Sequence, residues 1–151
     1  MSPVNLIIPG VWISGWEVAQ NREWLQKHNI QAVFNCTKNI AFNPSVKYQY
    51  RIPVDDNLQP SEIHNMEIWA PEIAYSILKE YKAGRPILIH CHAGIQRSTT
   101  ACAFFLMARD GCTLLDAMRK IKKARPIAFE PSPNFIESLR GFEALLRSWN
   151  I

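Results

Sequence analysis

The chain has 151 residues, 48% of them hydrophobic, and 17 Lys and Arg against 13 Asp and Glu give a net charge of +4. That length suits one domain, residues 1–151, around one core, and the modest basic balance favours anionic substrates without identifying them. There is no run of about 18 apolar residues, so no membrane span is expected. Met1-Ser2-Pro3-Val4-Asn5 lacks a basic start followed by an apolar stretch. The expectation is an intracellular protein, cytoplasmic or nuclear.

Val11-Trp12-Ile13 reads as a short strand after the Pro9-Gly10 turn. Asn21 can cap a helix over roughly Arg22 to His28, with Trp24 and Leu25 facing inward. Ile30 to Cys36 is a strand, and 39–45 a loop. Val46, Tyr48, Tyr50, Ile52 and Val54 alternate with polar residues and Pro53, as on a strand near a sheet edge. Asp55-Asp56-Asn57 opens a loop. Ser61 can then cap a long helix to about Ala83, in which Pro71 predicts a kink or a delayed start. Ile87 to Ile89 is a short apolar strand, and Thr99 to Met107 a helix buried all round, ending at Asp110-Gly111. Thr113 with Asp116 starts the next helix, whose buried stripe is Leu114, Leu115, Met118 and Ile121. Its basic run, Arg119 to Arg125, reads as a solvated face, with a docking patch for phosphoprotein or RNA as the alternative. Ser132-Pro133 fits the start of a last helix with an inner stripe of Phe135, Leu139, Phe142, Leu146 and Trp149. Strands alternating with helices, then helices alone, predict an α/β fold: a central, mostly parallel sheet of four or five strands flanked by helices.

The chemistry concentrates between the strand at Ile87–Ile89 and the helix that follows. His90-Cys91-His92-Ala93-Gly94-Ile95-Gln96-Arg97-Ser98 is a tight loop closing onto a helix N-terminus. Such a loop gathers backbone N–H groups and the positive end of the helix dipole into one small space, which suits a tetrahedral dianion. Arg97 can grip two oxygens of that anion with a planar fork. A free thiol has a pKa of about 8.5, and a helix N-terminus beside cationic groups can lower it to roughly 3.5–7.5. Cys91 is therefore expected to be a thiolate nucleophile, with Ser98 placed to donate to the sulfur and His90 to fix the loop. Cys36, Cys91, Cys102 and Cys112 show no paired metal-ligand spacing, and strand alternation separates Cys91 from its two flanking histidines. Neither metal nor cofactor is expected.

The motif His-Cys-x-Ala-Gly-x-x-Arg-Ser resembles the signature loop of the cysteine-dependent protein tyrosine phosphatase superfamily. Gln96 departs from it, standing where the family usually has Gly or another small residue, and is expected to crowd the pocket rim or make a polar contact there. Four other segments resemble the small, atypical dual-specificity phosphatases, so that the likeness covers nearly the whole chain. These are 8–13, 30–37, 52–57 and 132–135. The resemblance implies a phosphatase-like fold and hydrolysis of phosphotyrosine and phosphoserine or phosphothreonine through a phosphocysteine. It implies phosphoprotein partners and a phosphate-binding loop made of His92, Ala93, Gly94, Ile95, Gln96 and Arg97. The reaction also needs a carboxylic acid to protonate the leaving oxygen. Asp55 and Asp56 are both candidates at a strand end, and the resemblance favours Asp56. The alternatives are a phosphatase of RNA 5′ phosphates or phosphoinositides with the same chemistry, and a phosphate-binding adaptor without activity.

Overall fold

The computed structural model describes residues 3–149. Met1 and Ser2, where the pattern read for a leader begins, lie outside the described residues, as do Asn150 and Ile151. Five strands form one sheet: β1 (Val4–Ile8), β2 (Val11–Ser14), β3 (Ala32–Asn35), β4 (Tyr48–Arg51) and β5 (Ile87–His90). Their order is β1-β2-β5-β3-β4. β1 and β2 are antiparallel across the Pro9-Gly10 turn, and every other pair is parallel. The central strand, β5, has its apolar residues on both faces, as a covered parallel strand requires. Ile87 and Ile89 enter the larger core, and Leu88 enters a smaller one with Leu25, Val33 and Val46.

Helices α1 (Trp16–Ala19) and α2 (Arg22–Lys27) cover the smaller core. Asn21 caps α2 by accepting from the Trp24 N–H. The other face carries α3 (Pro60–Lys82), α4 (Arg97–Asp110), α5 (Leu114–Ala124) and α6 (Ile136–Trp149). α4 is buried from Ser98 to Met107, and Gly111 ends it in the left-handed conformation that Gly adopts at least cost.

Several expectations need correcting. β1 and α1 are additional elements; each is only a turn or a few residues long and carries no clear period. The strands are shorter than their apolar runs: β3 stops before Cys36, and β4 covers only the middle of 46–54. Ser61 does not cap α3. Pro60 takes the first helical position, where its missing N–H costs nothing, after Gln59. Pro71 neither delays nor ends α3, because Met66 and Ala70 before it and Ile73, Ala74 and Ile77 after it are all buried against the same core. Leu115 and Trp149 are exposed rather than on their inner stripes. Arg125, read as part of a solvated run, is buried. α6 starts at Ile136 and not at Ser132, for a reason that lies in the cleft.

Candidate active site

Three parallel strands end together beneath the loop. Ser14, Asn35 and His90 are paired in register and all buried. The His90 ring sits 3.3 Å from its neighbour's carbonyl through Nδ1, and burial pushes its pKa down to about 4. It is a neutral imidazole inside the sheet. Past it, Cys91 is 3% exposed. Its Sγ accepts from the Gly94 N–H at 3.3 Å and lies 3.2 Å from Ser98 Oγ. Burial pushes the other core thiols up, Cys102 to about 12 and Cys36 likewise above the usual range, which suits them to packing.

Arg125 holds the loop from behind. Its Nε donates to Gly94 O at 2.8 Å, Nη2 to Ala93 O at 3.4 Å, and Nη1 to Asn5 Oδ1 at 2.8 Å. In a trans peptide the carbonyl and the next N–H point in opposite directions. With Ala93 O turned to Arg125, the Gly94 N–H faces the sulfur. With Gly94 O turned the same way, the Ile95 N–H points away from Arg125. The packing also demands two glycines. A Cβ on Gly94, whose φ is +70°, would meet Ser14 and Arg125 within 2.7 Å, and one on Gly15 would lie 2.8 Å from His92 O. His92 O in turn accepts from the Trp16 N–H at 3.0 Å.

Arg97 starts α4. Its Nη1 donates to Val54 O at 2.9 Å, while Nε is buried and has no partner among the described residues. An orphaned buried donor of this kind costs about 1–3 kcal/mol until something accepts from it. Arg97 lines a cleft of about 390 Å³ together with Asp56, Cys91, His92, Ala93, Ile95, Gln96, Glu130 and Asn134. A phosphoryl oxygen in that cleft would supply the acceptor.

The two adjacent aspartates diverge. Asp56 lines the cleft, and its Oδ1 accepts from Asn134 Nδ2 at 2.9 Å. Asp55 turns to Lys38, 3.1 Å away, and its N–H donates to Glu62 Oε1 at 2.9 Å. Gln96 makes the polar contact expected of it, and makes it in full. Its Nε2 donates to Glu130 O at 3.0 Å and to Ser132 O at 2.9 Å, and its Oε1 accepts from the Asn134 N–H at 2.9 Å. These bonds hold 130–134 in a non-helical path and explain the late start of α6. The side chain of Gln96 is thus turned to the protein, while His92 and Ala93 are the exposed loop residues at the mouth.

Sequence reasoning missed Arg125 and Asn134 as residues of this site. Arg125 left a trace, since it follows Ala117 and Ile121 at helical spacing and so continues the buried stripe of α5. Asn134 left none. Among the described residues, no group of three or more His, Cys, Asp or Glu is placed to hold a metal ion. Nor is any helix there long and apolar enough to cross a membrane.

Residues 11–144 match the family model of the dual specificity phosphatase catalytic domain. The chain belongs to the dual specificity phosphatase family. By that membership it is a phosphatase domain of the cysteine-dependent class. It is 30% identical over 97% of its length to a probable dual specificity protein phosphatase of Dictyostelium discoideum, and 32% identical over 97% to the dual specificity protein phosphatase Mpk3 of Drosophila melanogaster. It spans just over a third of each of those proteins, 36% and 35%. The crystal structure of human DUSP28 superposes with a TM-score of 0.81 at 25% identity, covering 97% of both chains.

Proposed function

We propose that residues 1–151 form a single catalytic domain that hydrolyses phosphotyrosine and phosphoserine or phosphothreonine in proteins through a phosphocysteine intermediate. The observation that carries this reading is the buried Nε of Arg97, unpartnered among the described residues, on the same cleft as a buried thiol that accepts from the Gly94 N–H and lies 3.2 Å from the Ser98 hydroxyl. A bound phosphoryl group completes both. In the first step Cys91 attacks phosphorus as the thiolate, the P–O bond to the leaving group breaks, and the leaving oxygen takes a proton from the Asp56 carboxylic acid. Arg97 and the loop N–H groups stabilise the charge on the equatorial oxygens. In the second step Asp56, now a carboxylate, takes a proton from water as the oxygen attacks phosphorus. The P–S bond breaks, and Ser98 donates to the departing sulfur. His90 supports the strand end as a neutral ring. This sequence needs neither metal nor cofactor.

The exposure of Asp56 at the rim supports dual specificity, because a leaving oxygen on a short side chain can reach it as well as one on a long side chain. The four unpaired cysteines and the reactive thiol suit a reducing compartment, the cytoplasm or nucleus. The test is kcat/KM on matched phosphotyrosine and phosphothreonine peptides, a phosphoinositide and a triphosphate-ended RNA. Both peptides should be hydrolysed, phosphotyrosine faster. Strong preference for the RNA or the lipid would overturn the substrate class, and binding without turnover of any of them would turn the reading into an adaptor.

A further inference from the structure

Asp56 projects from an exposed loop, yet a proton donor must be held within hydrogen-bond reach of the leaving oxygen. Its backbone is tied down just upstream. Pro53 O accepts from Asn65 Nδ2 at 3.1 Å, Val54 O from Arg97, and the Asp55 N–H reaches Glu62. The side chain itself is met by Asn134, 78 positions further along the chain. Asn134 is half-buried and sits in a segment with little regular structure. What fixes that segment is the signature loop. The Phe129 N–H donates to Ile95 O at 2.8 Å, and Gln96 takes Glu130 O, Ser132 O and the Asn134 N–H.

The Gln96 amide fits this task closely. Both N–H donors and the carbonyl are used, and flipping the amide would set its oxygen against two carbonyls, so the network admits one orientation. The residue is 6% exposed, so water competes poorly for these bonds. It directly precedes Arg97. The distance from the phosphoryl site to the carboxylate is therefore set through one short relay: signature loop, Gln96, Asn134, Asp56.

We propose that Gln96 and Asn134 are positioning residues for the general acid, and that Gln96 locks the acid to the phosphate loop. The inference rests on the reading above, in which Asp56 is that acid. It predicts a specific signature. Loss of the relay weakens protonation of the leaving group more than attack on phosphorus. Poor leaving groups should then suffer more than good ones.

The measurement is the ratio of kcat on phenyl phosphate to kcat on p-nitrophenyl phosphate. It is taken for wild type, Asn134→Ala, the size-conserving Gln96→Met, the double variant, Asp56→Asn, and Asp56→Asn with Asn134→Ala. The ratio should fall about tenfold in each relay variant, a fraction of the ~10²–10⁴ that general acid–base catalysis contributes. It should fall no further in the double variant, and Asn134→Ala should not change it once Asp56 is Asn. A wild-type ratio in folded Asn134→Ala, with Asp56→Asn showing its full effect, overturns this inference alone. A drop in Asn134→Ala with none in folded Gln96→Met removes Gln96 from the relay. If Gln96→Met does not fold, Asn134→Ala decides the matter, since it cuts the same link at a half-buried position. An inactive wild type, or Asp56→Asn with the wild-type ratio, overturns the underlying reading and this inference with it.

Discussion

On one side of the cleft, Cys91, Gly94 and Ser98 are buried in a contiguous stretch of chain, pinned between the end of the sheet, the start of α4 and the Arg125 guanidinium. On the other side, Asp56 is exposed and accepts a hydrogen bond from Asn134, 78 positions away in the chain. The chemistry accounts for the contrast. The groups around phosphorus meet the same phosphoryl geometry in every substrate, so a fixed, dry setting serves them. On the proposed reading the proton donor meets leaving oxygens on side chains of different length, which suits a place at the rim, and the hydrogen bond from Asn134 instead of packing would give it precision. Changes on the packed side should therefore damage turnover on every substrate, whereas changes on the rim side should damage it selectively.

The largest of these effects falls on Arg97. Lys keeps the charge but loses the fork that leaves Nε free for oxygen while Nη1 holds Val54 O. Arg97→Lys should lower kcat/KM about 10²–10³-fold, alike for phenyl and p-nitrophenyl phosphate. Near-normal turnover, or a loss confined to the poorer leaving group, would break the contrast between the two sides.

The buried setting of the packed side also has a pH signature. An unfolded histidine titrates near pH 6.5, whereas burial holds His90 near 4. Between those values the unfolded chain binds the extra proton. Stability is thus fully present above about pH 6.5 and lost as pH falls toward 4, by about 3 kcal/mol in all. Urea unfolding at pH 7 and at pH 4.5 should show this loss in wild type and a markedly smaller one in His90→Asn. Equal losses in both proteins would mean that the ring is not the buried neutral group described.

A smaller effect is expected at Ser98. Its hydroxyl lies 3.2 Å from the sulfur, and in the proposed mechanism it donates when sulfur departs. Ser98→Ala should slow breakdown of the intermediate by about tenfold, the worth of one ordinary hydrogen bond, and leave its formation fast. Rapid mixing with p-nitrophenyl phosphate should then show a burst of product. A slowed first phase would move Ser98 from the second step to the first.

The packed side was readable because it is local. Cys91, Arg97 and Ser98 share one loop whose flanking strand and helix announce themselves by apolar runs. The parallel centre of the sheet followed from the same alternation of strands and helices. The rim side was readable only as far as the pair Asp55-Asp56. Which carboxylate enters the cleft depends on Lys38 and Glu62 drawing Asp55 aside, and on Asn134 reaching Asp56. Those contacts join distant positions and carry no period. Ser132-Pro133 looked like a helix start because its local chemistry favours one, and Gln96 outweighs that preference by taking the backbone of 130–134. Arg125 was hidden by its company: four basic neighbours on α5 are exposed, and only its place on the Ala117–Ile121 stripe marks it as buried.

The central claim is that Cys91 carries the phosphoryl group between the two steps. Wild type and Ser98→Ala can be quenched in acid within milliseconds of mixing with a ³²P-labelled phosphopeptide, digested, and the labelled peptide sequenced by mass spectrometry. The account predicts phosphate on Cys91, accumulating further in Ser98→Ala and absent in Cys91→Ser, which should still bind the peptide while turnover falls at least about a thousandfold. Label on another residue, or substantial turnover by Cys91→Ser prepared free of wild type, would contradict it.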